Sequence, residues 1–210
     1  MKKKKEMKKR GNKNINKKDN FCKRNYREVW NYIKESRNYI WFTLIVFVLF
    51  GLIGFFIPAS ESLKQVIMDI LKKLIEKTQG LETLEMVGYI FFNNAFVGLL
   101  SIVLGVVIGI LPIMWIVENA YIVGFVARLS VNELGYFSLW KILPHGIFEL
   151  PSIIISFALG IKLGMFVFAK NPSKEFKKRF VLGLKTFVFV ILPLLVIAAI
   201  IEGLLIGFVG

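Results

Sequence analysis

The stretch ILPHGIFELP, residues 142–151, places His145 and Glu149 four residues apart inside an apolar run, bracketed by Pro144 and Pro151. At i and i+4, imidazole and carboxylate share one face of any helix that begins at Pro144. Such a pair inside a membrane could relay a proton, hold an ion, or stitch helices together. Gly146 between them permits close backbone approach. Pro144 suits a first helical position, where no N–H bond is lost. Pro151 leaves the Ile147 carbonyl without its helical donor. The segment reads as a broken, re-entrant helix lining a cavity or a protein interface, because lipid cannot satisfy the freed backbone groups.

Other polar side chains lie in apolar surroundings: Asn93 and Asn94 in FFNNAF, Glu202 in IIEGLL, Glu118 and Asn119 in VENAY, and Lys162 in LGIKLG. Familiar enzyme chemistries find little support. The chain has one histidine and one cysteine, Cys22, so neither a zinc site of the H-E-x-x-H kind nor a disulfide can be assembled. Asp19 and Asp69 fall outside the apolar runs, which removes paired intramembrane aspartates. No G-x-S-x-G elbow, phosphate loop or dinucleotide fingerprint is present. The expectation is a protein that is not an enzyme and uses no cofactor or metal.

The elements that must position these residues follow from composition. The 210 residues are 56% hydrophobic, with mean hydropathy +0.63, which is too apolar for an ordinary soluble domain. The net charge of +14 is concentrated in residues 1–38, which hold 15 Lys/Arg against 4 Asp/Glu. Residues 1–25 read as a disordered, solvated tail suited to anionic headgroups. Nucleic-acid binding is not expected, since no base-reading motif accompanies the charge. Residues 26–38 space Tyr26, Val29, Trp30 and Ile33 as an interfacial helix. A membrane-spanning helix needs about 20 apolar residues, and five such spans are predicted at 39–57, 87–111, 113–129, 145–169 and 181–208. Pro112 separates the second from the third, and Pro193 bends the last. Residues 62–79 carry Leu63, Val66, Ile67, Ile70, Leu71 and Leu74 on one face, an amphipathic helix with Ser62 and Gln65 as its capping box and Gly80 as its stop. G-x-x-x-G spacing at Gly105/Gly109 and Gly160/Gly164 allows close helix packing.

Basic residues orient the spans. Residues 58–86 hold 4 Lys and 5 acidic residues, and residues 170–180 hold 5 Lys/Arg and 1 Glu. The tail and the second loop therefore belong to the cytoplasm, and the amphipathic helix and the C-terminus to the outside. This topology brings Asn93, Asn94, His145, Glu149 and Glu202 to a similar level in the outer half. Glu118 and Lys162 come to matched depth in the inner half, as a candidate ion pair beside Asn119.

The motifs NNAFVGLLSIVLGVVIGILP, ENAYIVG, LPHGIFELPSIIISFALGIKLG and LLVIAAIIEGLLIG resemble the stage II sporulation protein M family over roughly residues 26–208. The resemblance implies an all-α membrane bundle of about five spans, with Asn94, Asn119, His145, Gly146, Glu149 and Glu202 at the family's polar and glycine positions. Ala120 departs from the glycine common there. Members of the family act with partner proteins in remodelling the septal wall, as membrane-embedded organisers. The expected function is a plasma-membrane scaffold that contacts a protein partner on its outer face or within the membrane, or a second copy of itself. The alternative is a proton- or ion-coupled transporter using His145, Glu149 and Glu202.

Overall fold

The computed structural model describes residues 21–209, except the side chains of Thr78, 140–148 and 202–209. Of the disordered tail expected at 1–25, residues 1–20 lie outside the described residues and residues 21–25 are helical. A first helix, α1, spans residues 21–35, starting earlier than the interfacial helix expected at 26–38. It breaks at Ser36, and α2, Arg37–Phe56, follows as the first long apolar helix. Residue 57 precedes Pro58, which disfavours the helical region, and Ile57 is extended.

The amphipathic helix is α3, Glu61–Thr78. Its cap is Ser60 rather than Ser62: the Leu63 N–H donates to the Ser60 hydroxyl at 3.3 Å. α4, Thr83–Leu104, opens with the Glu82 N–H donating to the Glu85 carboxylate at 3.1 Å. The next turn corrects the division expected at Pro112. The chain reverses at residues 105–109, where Ile108 and Gly109 adopt φ of 52° and 68°, and α5 runs Ile110–Leu134. Pro112 sits in the first turn of α5, where a missing N–H goes unnoticed. The glycines around it allow the reversal.

Gly135, at φ 77°, ends α5, and a short 3₁₀ turn, Tyr136–Ser138, leads into α6, Leu139–Gly164. The α6 backbone continues through both Pro144 and Pro151, so the re-entrant break expected near Pro144 is not found. The helix begins six residues before the span expected at 145–169, and the backbone groups freed by two prolines are tolerable in a helix surrounded by others. After a second 3₁₀ turn, Met165–Phe168, α7 begins at Pro172 and runs to Thr186. Most of the loop expected at 170–180 is thus helix, started by a proline at its first position. A π turn at Phe187–Ile191 links α7 to α8, Leu192–Val209, just before Pro193. The extra residue of a π turn accommodates the interrupted ladder there.

Among the described residues, five helical stretches are long and apolar enough to cross a membrane: Arg37–Phe56, Thr83–Leu104, Ile110–Leu134, Glu149–Phe168 and Pro172–Ile201. The protein is an all-α membrane protein. α6 is the central helix, packed on α2, α4, α5 and α8, with Phe157, Ala158, Leu159 and Leu163 fully buried. Glycines set the closest approaches. A Cβ on Gly105 would overlap the Gly160 carbonyl, and one on Gly164 would overlap the Gly109 amide, so the two G-x-x-x-G motifs pack against each other within the chain. Gly124 of α5 likewise lies on the Gly51 carbonyl of α2, beside a buried Ala120.

Candidate functional site

Contacts between α4, α6 and α8 fix the levels of the polar residues. Gly98 meets Ser156, and Gly160 meets the Ser101 carbonyl, so α4 and α6 run parallel. One turn back, Asn94 comes level with Ser152, and Glu149 lies one turn beyond. α8 runs antiparallel, since Gly98 meets Phe187 and Gly183 meets Ile102. By that register Glu149 is level with Leu194, and Glu202 lies eight residues, about 12 Å, further along. Asn94 and Glu149 are half-buried and Asn93 is exposed. The side chains of His145 and Glu202 lie outside the described residues, and Gly146 falls in the same stretch. In level along the bundle, Asn94 is thus about one turn from Glu149 and Glu202 about two turns from it.

Glu118 and Lys162 do not meet. Lys162 is two residues from the end of α6, whereas Glu118 is eight residues into α5. That is a difference of about 9 Å in depth, produced by the turn falling at 105–109 instead of at Pro112. Asn119 donates from Nδ2 to the Trp115 carbonyl at 2.8 Å, within its own helix. Glu118 lines a groove of about 580 Å³ between α2, α3 and α5, with Phe50, Ile53, Leu63, Val66, Ile70, Trp115 and Tyr121.

The partner of Lys162 comes from α1, which sequence reasoning assigned only to the interface. The Lys162 ammonium donates to the Ser36 hydroxyl at 2.8 Å, lies 3.8 Å from the centre of the Tyr32 ring, and stands 4.0 Å from the Glu35 carboxylate. Ser36 in turn donates to the Tyr32 carbonyl at 2.6 Å. Tyr32 donates from its phenol to the Arg179 carbonyl at 3.3 Å, and Arg179 donates to the Lys162 carbonyl at 2.7 Å and to Glu175 at 3.1 Å. The cluster therefore ties α1, the end of α6 and α7 together at one end of the bundle. Burial holds the Tyr32 phenol pKa above its usual value of 10.0. Outside the cluster, Lys185 donates to Glu28 at 2.6 Å, and this bond holds the Glu28 carboxyl below its usual 4.5.

A lysine bonded to a serine is also the arrangement of Ser–Lys nucleophiles. Here Ser36 is fully buried and its proton is committed to a carbonyl, which makes the pair a clamp. Among the described residues no three His, Cys, Asp or Glu side chains are grouped to hold a metal ion. Part of the signal for the clamp was in the sequence, since a lysine in an apolar span needs a partner at its depth, but nothing there assigned that partner to Tyr32 and Ser36.

The sequence profile described as Stage II sporulation protein M matches residues 43–205, from within α2 to within α8. The chain belongs to the stage II sporulation protein M family. No curated protein and no solved structure matches it significantly. Within this family member, the clamp joins residues on both sides of the matched region's boundary. Lys162, Glu175 and Arg179 lie inside the match, and Tyr32, Glu35 and Ser36 lie before it.

Proposed function

We propose that this family member is a non-enzymatic membrane scaffold whose protein partner docks on α3 and the groove beneath it. The observation that carries the reading is the exposure of the apolar face of α3. Leu63, Val66 and Ile70 remain 40%, 55% and 40% exposed while lining the groove with α2 and α5. A helix that keeps such a face on a polar background is built to cover something. The burial of the Ser36–Lys162 pair supports a role without catalysis. The basic residues at the α1 and α7 end support placing that end in the cytoplasm and α3 outside.

The test is a photo-activated crosslinker at Val66, set against one at Leu52 on α2. A discrete adduct from Val66 alone is expected in native membranes, and an adduct of twice the chain's mass would identify the partner as a second copy. The same diffuse lipid labelling at both positions would sink the scaffold reading.

A further inference from the structure

At the Lys162 end of the bundle, the helical stretch that begins with α7 is longer than a hydrocarbon core requires. Pro172–Ile201 is 30 residues long, roughly 45 Å of helix against a core of about 30 Å. The crossing level is fixed independently: Arg179 bonds the Lys162 carbonyl near the end of α6, beside the start of α2 at Arg37. Lys174, Lys177 and Lys178 therefore lie at headgroup level, and Lys185 lies about 9 Å deeper. These four lysines line one groove of about 420 Å³, whose apolar wall is Val181 and Leu182.

The charge of the groove is only partly matched. Among the described residues Glu28 is its one acidic residue, bonded by Lys185 at 2.6 Å, and Lys178 approaches Glu35 at 3.8 Å. Among the described residues Lys174 and Lys177 make no ion pair and are exposed. From the groove an exposed apolar strip, Val181 at 44% and Val188 at 55%, leads one and then three turns into the hydrocarbon.

We infer that this groove binds the headgroup of an anionic phospholipid, with the phosphodiester between Lys174, Lys177 and Lys178 and an acyl chain along Val181 and Val188. The chemistry asks for both parts. Lysines at the boundary supply point charges to a phosphate, and an uncharged wall continuing into the membrane suits a chain that a free anion lacks. Glu28 disfavours the same ligand, and its pairing with Lys185 limits that repulsion.

The experiment uses the full chain in nanodiscs containing phosphatidylglycerol or phosphatidylcholine, with lipids retained after extraction counted by native mass spectrometry. The wild type should retain phosphatidylglycerol preferentially. Lys174→Gln/Lys177→Gln should weaken that preference by on the order of tenfold or more, at about fivefold per lysine near a membrane surface. The same change on α3, Lys72→Gln/Lys73→Gln, should leave it intact. Glu28→Gln should strengthen retention, a gain that misfolding cannot imitate. Equal loss in the α3 control would reduce the effect to diffuse charge and overturn the proposal. So would the absence of preference in the wild type. Displacement of the lipid by inorganic phosphate at similar concentration would make this a free-anion site and overturn the lipid assignment.

Discussion

The Lys162 ammonium of α6 donates to the Ser36 hydroxyl, 126 residues away, at 2.8 Å, and only 7% of Lys162 is exposed. Two opposed effects meet there. Taking an ammonium out of water costs several kcal/mol, while a charged hydrogen bond and a cation over the Tyr32 ring each return about 2 kcal/mol.

The order of two variants follows from that balance. Ser36→Ala leaves the ammonium buried without its hydroxyl and should lower stability by about 2 kcal/mol. Lys162→Met removes the desolvation penalty together with the bond, and Ser36 keeps its own bond to the Tyr32 carbonyl. It should stay within about 1 kcal/mol of the wild type. Thermal unfolding in detergent reads both, and Lys162→Met proving the worse would show that the clamp is net stabilising as a pair.

Glycine positions make a second, geometric prediction. A Cβ on Gly160 would overlap the Ser101 carbonyl and lie 2.8 Å from Pro112 Cγ, whereas one on Gly88 meets nothing within 4 Å. Gly160→Ala should therefore destabilise by about 1–3 kcal/mol through overpacking. Gly88→Ala, inside α4, should be neutral or gain up to about 1 kcal/mol from helix propensity. Equal unfolding midpoints for the two variants would contradict the α4–α6 contact.

Thr43 offers a test of opposite sign. Its hydroxyl is fully buried in α2 and has no hydrogen-bond partner among the described residues. A buried hydroxyl left unpaired costs about 1–3 kcal/mol. Thr43→Val keeps the shape and removes the polar atom, so the unfolding midpoint should rise. A fall would mean that the hydroxyl is satisfied in the membrane.

These sites differ in how far the sequence revealed them. Twenty-residue apolar runs and the amphipathic period of α3 are local signals, and the helices formed where those signals lay. Residues 105–109 and Pro112 show the limit. Proline is compatible with either a break or a first turn, and only the packing of Gly105 and Gly109 on α6 selects the reversal before it. That shift moved Glu118 away from Lys162. The clamp needed a contact between α1 and α6 that no spacing encodes, although Lys162 announced that some partner must exist. Pro144 and Pro151 misled in the other direction, since local backbone chemistry suggested a break where α6 is continuous.

Both pH limbs of stability can be assigned at the α1 end. The bond from Lys185 lowers the Glu28 pKa below 4.5, so the folded state binds fewer protons there than the unfolded chain. Its contribution is present above about pH 4.5 and is lost as pH falls through the lower, folded value. Burial raises the Tyr32 pKa above 10.0, so that contribution is complete below pH 10 and is lost as pH climbs towards the higher, folded value. The Glu28 carboxylate is 40% exposed, which keeps its effect small, whereas Tyr32 is 2% exposed. Unfolding midpoints of the wild type and Glu28→Gln should differ slightly at pH 7 and converge as pH falls through the lowered Glu28 value, while Tyr32→Phe should flatten the decline above pH 10. A wild-type midpoint unchanged into strongly alkaline solution would mean that the Tyr32 phenol is no less able to ionise in the fold than in the unfolded chain.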